Sequence, residues 1–440
     1  MQKTIVRLTV AVVLLVLSLA ENPPVGFNAR VFSGFSDRTS ITVAAPSAQS
    51  RTPRQAVCSG GSASGFPCQK VDLLAQVPLA DLGASSAAIK GNEHWGWTDP
   101  VTGRDYVLFG LTNATAFVDI SDRQNPRYLG QLPSHQGVSQ YRDLAVSGNT
   151  AFIVADTPTQ HGLQVFDLTQ LRNVVNPPVT FTESAHYAGF VAGHSLWMNE
   201  ATGYLYVFRS VGDACQSGVH MVNVQNPLQP SFAGCLAQDD TPLSTGECLV
   251  YDGPDHTYHG REICFVASDD NVSIFDVTNK AQPLQVADFT YPGIARAHQG
   301  DLTADLRYWL LGDMMDEHHT GFNTRTYAFD ISDLDHPVVL GHFSHSTFAI
   351  DHDLQIVGTR VFQANWRAGL RILDVSSLPG VGFRELAYFD TVPGSDSIGH
   401  TGAFAPYVWP DGVVTVSDTE SGLFVLQPTI DRVYLPTMMR

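Results

Sequence analysis

Imidazole recurs in this chain at one phase of a repeating unit. The pairs His94-Trp95, Arg142-Asp143, His194-Ser195, Gly246-Glu247, His298-Gln299, His352-Asp353 and His400-Thr401 each open an apolar run. Five of these seven positions are His, in a chain of 440 residues with 16 His in all. Imidazole nitrogen ligates Zn, Cu, Fe or Ni, and carboxylates beside it orient the ring. If the seven points face one axis, His94, His194, His298 and His352 form a set for a divalent transition metal (Zn, Cu, Fe or Ni), with Glu247, Asp353 and Asp301 as supporting carboxylates. A second use of the same ring is a polar funnel for a small anionic or sugar ligand, with Arg142 as a fixed positive charge and Glu247 and Asp353 as acceptors. A third is structural, each His bonding the backbone of a neighbouring strand. The residues alone leave all three open.

The elements that must position this ring are spelled out by a second recurrence. TAFVDISDRQNPRYLGQLP (Thr115 to Pro133) returns six times, with anchors Asp119, Asp167, Asn223, Asp276, Asp330, Asp374 and Gln427 spaced 48, 56, 53, 54, 44 and 53 residues apart. A period near fifty fits four-stranded propeller blades rather than helical-pair solenoids. In four copies a Pro follows the anchor by the same seven residues, at Pro126, Pro230, Pro283 and Pro337. An Asp or Asn at a strand end accepts from nearby backbone N–H groups, and Pro opens the next edge strand where no donor is needed. A residue used once per blade is structural rather than catalytic.

Six copies are followed by an exit strand, at 127–132, 179–183, 231–236, 284–290, 338–344 and 384–390; the seventh copy has none. The stretch 71–79, VDLLAQVPL, resembles those six. The expectation is therefore an all-β, seven-bladed β-propeller over 58–429, closed by this N-terminal strand so that no sheet edge stays open.

The flanks read differently. Lys3 and Arg7 precede an apolar run from Leu8 to Ala20, which suits a cleaved signal peptide over 1–20. Residues 21–57 form a low-complexity tether rich in Ser, Thr, Pro and Ala, and 430–440 a short C-terminal tail. Six Cys in an exported chain point to disulfides; the local pairs Cys58–Cys68, Cys215–Cys235 and Cys248–Cys264 are the least costly to close. A net charge of −18 with no basic run argues against nucleic acid and anionic membrane surfaces.

The repeated phrase resembles the LVIVD repeat, and the run from Cys58 to Gln427 is similar to the secreted bacterial choice-of-anchor B proteins. The stretches that carry this are CSGGSASGFPC, WGWTDPVTGRDYVLFGLTNATAFVDISD, GPDHTYHGREICF and NWRAGLRILDVS. The resemblance implies a β-propeller that is secreted or displayed at the cell surface; it implies no reaction. The chain departs from the pattern at Thr245-Gly246, where a His-Asp pair would be expected, and no long anchor follows the propeller.

No H-E-x-x-H, G-x-S-x-G, P-loop or EF-hand loop is present. The segment DMMDEHH (Asp313 to His319) packs three carboxylates and two His and reads as a solvated inter-strand loop rather than a cation site. Trp95, Trp97, Trp309, Trp366 and Trp409 suit sugar stacking or blade cores equally. The sequence thus points to a monomeric, non-catalytic exported scaffold that binds a protein or carbohydrate at the cell surface, with a metal-dependent enzyme built on the His ring as the alternative.

Overall fold

The computed structural model describes residues 55–135, 137–156, 160–237 and 242–430. The expected signal peptide, nearly all of the tether and of the tail fall outside these residues.

Seven sheets run through the described chain, antiparallel but for one added strand, and we number them blades 1 to 7 in sequence order. Their innermost strands are Gly91–Thr98, Arg142–Ser147, Ser195–Asn199, Leu243–Val250, Ala297–Leu302, Asp353–Val357 and Ala403–Val408. In blades 3, 4 and 5 four strands pair in sequence order from the inside outward. The fourth strand of blade 7 is Val71–Val77, which pairs with Gly422–Pro428 from Val71↔Pro428 to Val77↔Leu423. Ring closure by this strand is as the repeat count requires.

The middle strands are apolar on both faces because each sheet is sandwiched between two others. Asp105–Leu111 is buried at every position after the first, and Glu262–Ser268 throughout. Each of the seven interfaces between adjacent blades holds its own hydrophobic cluster. Between blades 7 and 1 it contains Val77, Val107, Trp409 and Leu423. Trp97, Trp309, Trp366 and Trp409 are all buried.

The anchors act as local turn formers. The side-chain oxygens of Asp119, Asp167, Asn223, Asp276, Asp330 and Asp374 each accept from the backbone N–H two residues on, at 2.9–3.1 Å. This i to i+2 bond is the Asx turn that ends the third strand of blades 1 to 6, while Gln427 of blade 7 instead donates through its amide to the Gly412 carbonyl at 3.4 Å.

All three expected disulfides are present, Cys58–Cys68, Cys215–Cys235 and Cys248–Cys264. The first closes a small hairpin, Ser62–Ala63 with Phe66–Gln69, that extends the outer edge of blade 6 through Cys68↔Phe389. Phe66 packs against Phe389 of blade 6 and Phe424 of blade 7, at 5.5 and 5.3 Å between ring centroids. Ala56 already bridges Leu73, with hydrogen bonds of 2.9 Å in both directions.

Blade 2 departs from expectation. Its outer strand is Ala185–Tyr187, while Val179–Thr180 adds in parallel to the outer strand of blade 1 (Arg127–Pro133). Phe181 is the reason: it is buried edge-on against the stacked Phe117 and Phe166, at 5.2 and 5.3 Å, between blades 1 and 2. Gly130 permits the approach; it has φ +141°, and a Cβ there would lie 1.9 Å from the Val179 carbonyl oxygen.

Candidate functional site

Along the axis the innermost strands enclose two chambers that meet at a waist. The chamber at the end where these strands begin holds about 370 Å³, and the other about 260 Å³. Glu93, Asp143, Ser195, Gln299 and Asp353 line both and so form the waist.

Three of the predicted imidazoles, His194, His298 and His352, come together in the larger chamber. Ring centroids of His194 and His298 are 6.3 Å apart, and those of His298 and His352 4.9 Å. Their Nδ1 atoms are taken up by the fold: His298 with the His352 carbonyl at 3.2 Å, His352 with the Phe404 carbonyl at 2.7 Å, and His194 facing Asp156 at 3.5 Å. Burial holds His352 down to about 3 and His298 well below the ordinary imidazole range, so both rings are neutral at neutral pH. Each stitches its strand to the next blade. The channel imidazoles are not among the groups whose metal-binding atoms lie within 4.8 Å of one another.

His94 does not join them. The innermost strands of blades 1 and 5 carry the same bulge, Gly91/His94 and Ala297/Gly300, so that Glu93 matches Gln299 at the waist and His94 matches Gly300 on the smaller chamber, two residues beyond the position of His298. The His94 ring is turned between blades 1 and 7, with Nε2 2.9 Å from the Thr415 hydroxyl, and burial lowers it to about 3. His400 is exposed outside the chamber, edge-on to Trp366 at 5.7 Å. Glu247 is buried in blade 4 and lines neither chamber; Thr245 and Gly246 face the channel instead. Asp301 lies on the smaller chamber and accepts from Ile356 N–H at 2.6 Å, tying blade 5 to blade 6.

Arg142 and Asp353 do line the larger chamber. Arg142 is 1% exposed; its Nε donates to the Leu111 carbonyl at 2.9 Å, Nη1 lies 3.1 Å from His161 Nε2, and Nη2 has no partner among the described residues. Burial lowers even this guanidinium, to about 10. Asp353, Glu93 and Asp143 are half-buried at the waist, and all three carboxyls are raised: burial is the main cause for each, and for Glu93 and Asp353 the neighbouring carboxylates add to it.

Two arginines that the repeat phase did not flag complete the chamber, Arg209 and Arg296. Arg296 Nε pairs with Asp269 at 2.8 Å, while Arg209 has left-handed backbone, φ +50°. Trp366, also on the chamber wall, has φ +35°. Non-glycine residues in this region cost about 1–3 kcal/mol each and gather at functional sites. The larger chamber is therefore bipolar, with guanidinium groups in its wall and a carboxyl ring at its floor.

The segment 313–319 is not a solvated loop. Asp316–Thr320 forms one helical turn that buries Asp316 and Glu317 completely, beside Asp313 and Asp351. Tyr327 donates to Asp316 at 3.1 Å, and Tyr291 to Asp313 at 2.9 Å. Neither carboxylate oxygen of Glu317 receives a donor among the described residues.

The fold places this chain among seven-bladed β-propellers. It is similar to hydrazine synthase of Kuenenia stuttgartiensis, with a TM-score of 0.52 at 9% identity over 74% of this chain and 93% of that one. It is also similar to the computationally designed Ika8 protein, with a TM-score of 0.46 at 11% identity over 76% and 82% of the two chains. At such identities the likeness is one of fold alone. No protein-family model and no curated protein matches the chain.

Proposed function

We propose that this chain is a binding propeller that works outside the cytoplasm and holds a small polar ligand in its larger axial chamber, without turning it over. The observation that carries this reading is Arg142: a buried guanidinium on the chamber wall with one nitrogen unpartnered, above three carboxyl groups. Burying an incompletely paired charge is costly, and an anionic group in the chamber would offset that cost. The ligand that fits has an anionic group toward Arg142, Arg209 and Arg296 and hydroxyl or amino donors toward Glu93, Asp143 and Asp353. Acidic sugars and amino acids have this shape, and about 370 Å³ lies within the usual range for small-molecule sites.

Three disulfides suit an oxidising compartment, and no helix among the described residues is long and apolar enough to cross a membrane. Secretion or surface display, as the resemblance to choice-of-anchor B proteins implies, belongs to this same reading. A metal enzyme on the channel His ring has less support, because the Nδ1 atoms of His298 and His352 are engaged and His94 is elsewhere.

The test is a thermal-shift screen of uronic acids, amino acids and their neutral analogues, followed by calorimetry. An acidic ligand should bind, with affinity falling at least tenfold in Arg209→Ala. Tight binding of neutral analogues alone, or an unchanged affinity in Arg209→Ala, would remove the chamber from this role.

A further inference from the structure

A different group of side chains, outside the channel, brings metal-binding atoms together: His135, Glu183 and His186, whose donor atoms all lie within 4.8 Å of one another. The irregular path of blade 2 assembles it. His135 follows the outer strand of blade 1, His186 sits in the outer strand of blade 2, and Glu183 lies in the turn between Val179–Thr180 and Ala185–Tyr187. The imidazoles of His135 and His186 stack at 3.7 Å between centroids and 9° between planes, so the exposed His135 ring must turn for both lone pairs to meet one ion, and His135 Nδ1 lies 2.9 Å from Glu183 Oε1.

We propose that His135, Glu183 and His186 form a transition-metal site of the Zn²⁺ class that clamps blade 1 to blade 2. Two imidazole nitrogens and one carboxylate are the donor set of open, four-coordinate Zn²⁺ sites, in which water takes the fourth position. They suit a borderline ion better than Ca²⁺ or Mg²⁺, which prefer all-oxygen shells. With bonds of about 2.0–2.1 Å, neighbouring ligands of a tetrahedral ion lie roughly 3.3 Å apart. The 2.9 Å between His135 Nδ1 and Glu183 Oε1 is thus a hydrogen bond when a proton sits there and is close to a coordination edge when a metal does.

The groups behind these three side chains hold them as ligands are commonly held. His186 Nε2 lies 2.8 Å from the His161 carbonyl, which can only accept, so Nε2 carries the proton and Nδ1 keeps its lone pair. Glu183 Oε2 accepts from Gln164 Nε2 at 2.9 Å, leaving Oε1 for the metal. The same Gln164 amide donates to the Pro133 carbonyl at 3.1 Å, two residues before His135, and so ties both arms of the site to one buried side chain. His135 and Glu183 retain 32% and 19% of their side-chain exposure, enough for an ion to enter.

The test uses untagged protein stripped with a chelator and titrated with Zn²⁺ by calorimetry and with Co²⁺ by visible absorption. One equivalent should bind, with the intense d–d bands of four-coordinate Co²⁺. Affinity should fall at least tenfold in His186→Ala and in Glu183→Gln, and should be unchanged in a His298→Ala, His352→Ala double variant. If His186→Ala does not fold, His135→Ala reads the same site from a more exposed position. The absence of saturable binding at millimolar metal, an equivalent that survives His186→Ala, or one lost in the channel double variant would each overturn the assignment.

Discussion

Leu73 lies directly across the sheet from Leu426, so that the strand preceding blade 1 in sequence is hydrogen-bonded to the third strand of blade 7 and completes that blade. Val71, Leu73 and Val77 are each at most 6% exposed. At about 1.5–3 kcal/mol per buried aliphatic side chain, these three contribute roughly 5–9 kcal/mol, which is comparable to the whole stability of a typical domain. Deleting Lys70 to Leu79 should therefore abolish the cooperative thermal transition or lower Tm steeply, and should bare the edge at Leu423 to Gln427. Differential scanning calorimetry checks this; an unchanged Tm would show that the ring does not need its closing strand.

The hairpin just upstream should act as a clip on that closure. Cys58–Cys68 closes a loop with a sequence separation of 10, for which loop-entropy arithmetic gives about 2–3 kcal/mol. A Cys58→Ser, Cys68→Ser variant should lose that much in guanidinium unfolding with little change in m-value, because the Phe66 contacts to blades 6 and 7 persist. A loss below about 0.5 kcal/mol would mean that the β-pairing to Phe389 holds the hairpin unaided.

Gly130→Ala probes the crossover between blades 1 and 2. The added methyl would meet backbone atoms of Val179 at 1.9–2.7 Å, and the residue would be held at φ +141°. Both effects are destabilising, by about 2–4 kcal/mol together, and the parallel pairing of Val179–Thr180 should be lost first. Hydrogen exchange at Thr180 and Phe181 would report it; protection equal to the parent would show that the segment does not depend on this approach.

How much of this was legible follows from how local each cause is. The anchors were readable because an Asx turn is made within two residues, and the closing strand because the seventh copy lacked a partner. The outer strand of blade 2 was not, since Phe181 is drawn aside by Phe166 of its own blade and by Phe117 of the blade before, which is far away in sequence. Channel phase held at Arg142, His194, His298 and His352 but not at His94, which stands two residues further along its strand, at the position of Gly300, because a His is visible in sequence and its place relative to the bulge is not. Arg209 gave no repeat signal, although a left-handed arginine is what the chamber uses. His135, Glu183 and His186 are separated by up to some fifty residues and meet only through the unforeseen crossover.

The buried carboxyls beside Asp316–Thr320 give a stability profile whose direction can be worked out. Burial first, then the Asp351 and Asp316 carboxylates, push Glu317 up to about 11, and burial followed by Asp313 pushes Asp316 up to about 7. Below the ordinary carboxylate range both the folded and unfolded chains hold these protons, so the groups do not bias folding. As pH rises through about 4 to 5 the unfolded chain releases its protons while the folded chain keeps them, and stability falls with pH until each folded value is passed. Glu317→Gln removes the proton requirement while keeping the shape. The variant should match the parent at pH 4 and exceed it at pH 8 by roughly 2–4 °C in Tm, the shift expected from about 1–2 kcal/mol in a chain of this size. Paired melting curves at the two pH values decide it. A variant less stable than the parent at pH 8 would mean that Glu317 is ionised and compensated in the folded chain, and that the carboxyls beneath the helical turn hold a cation rather than protons.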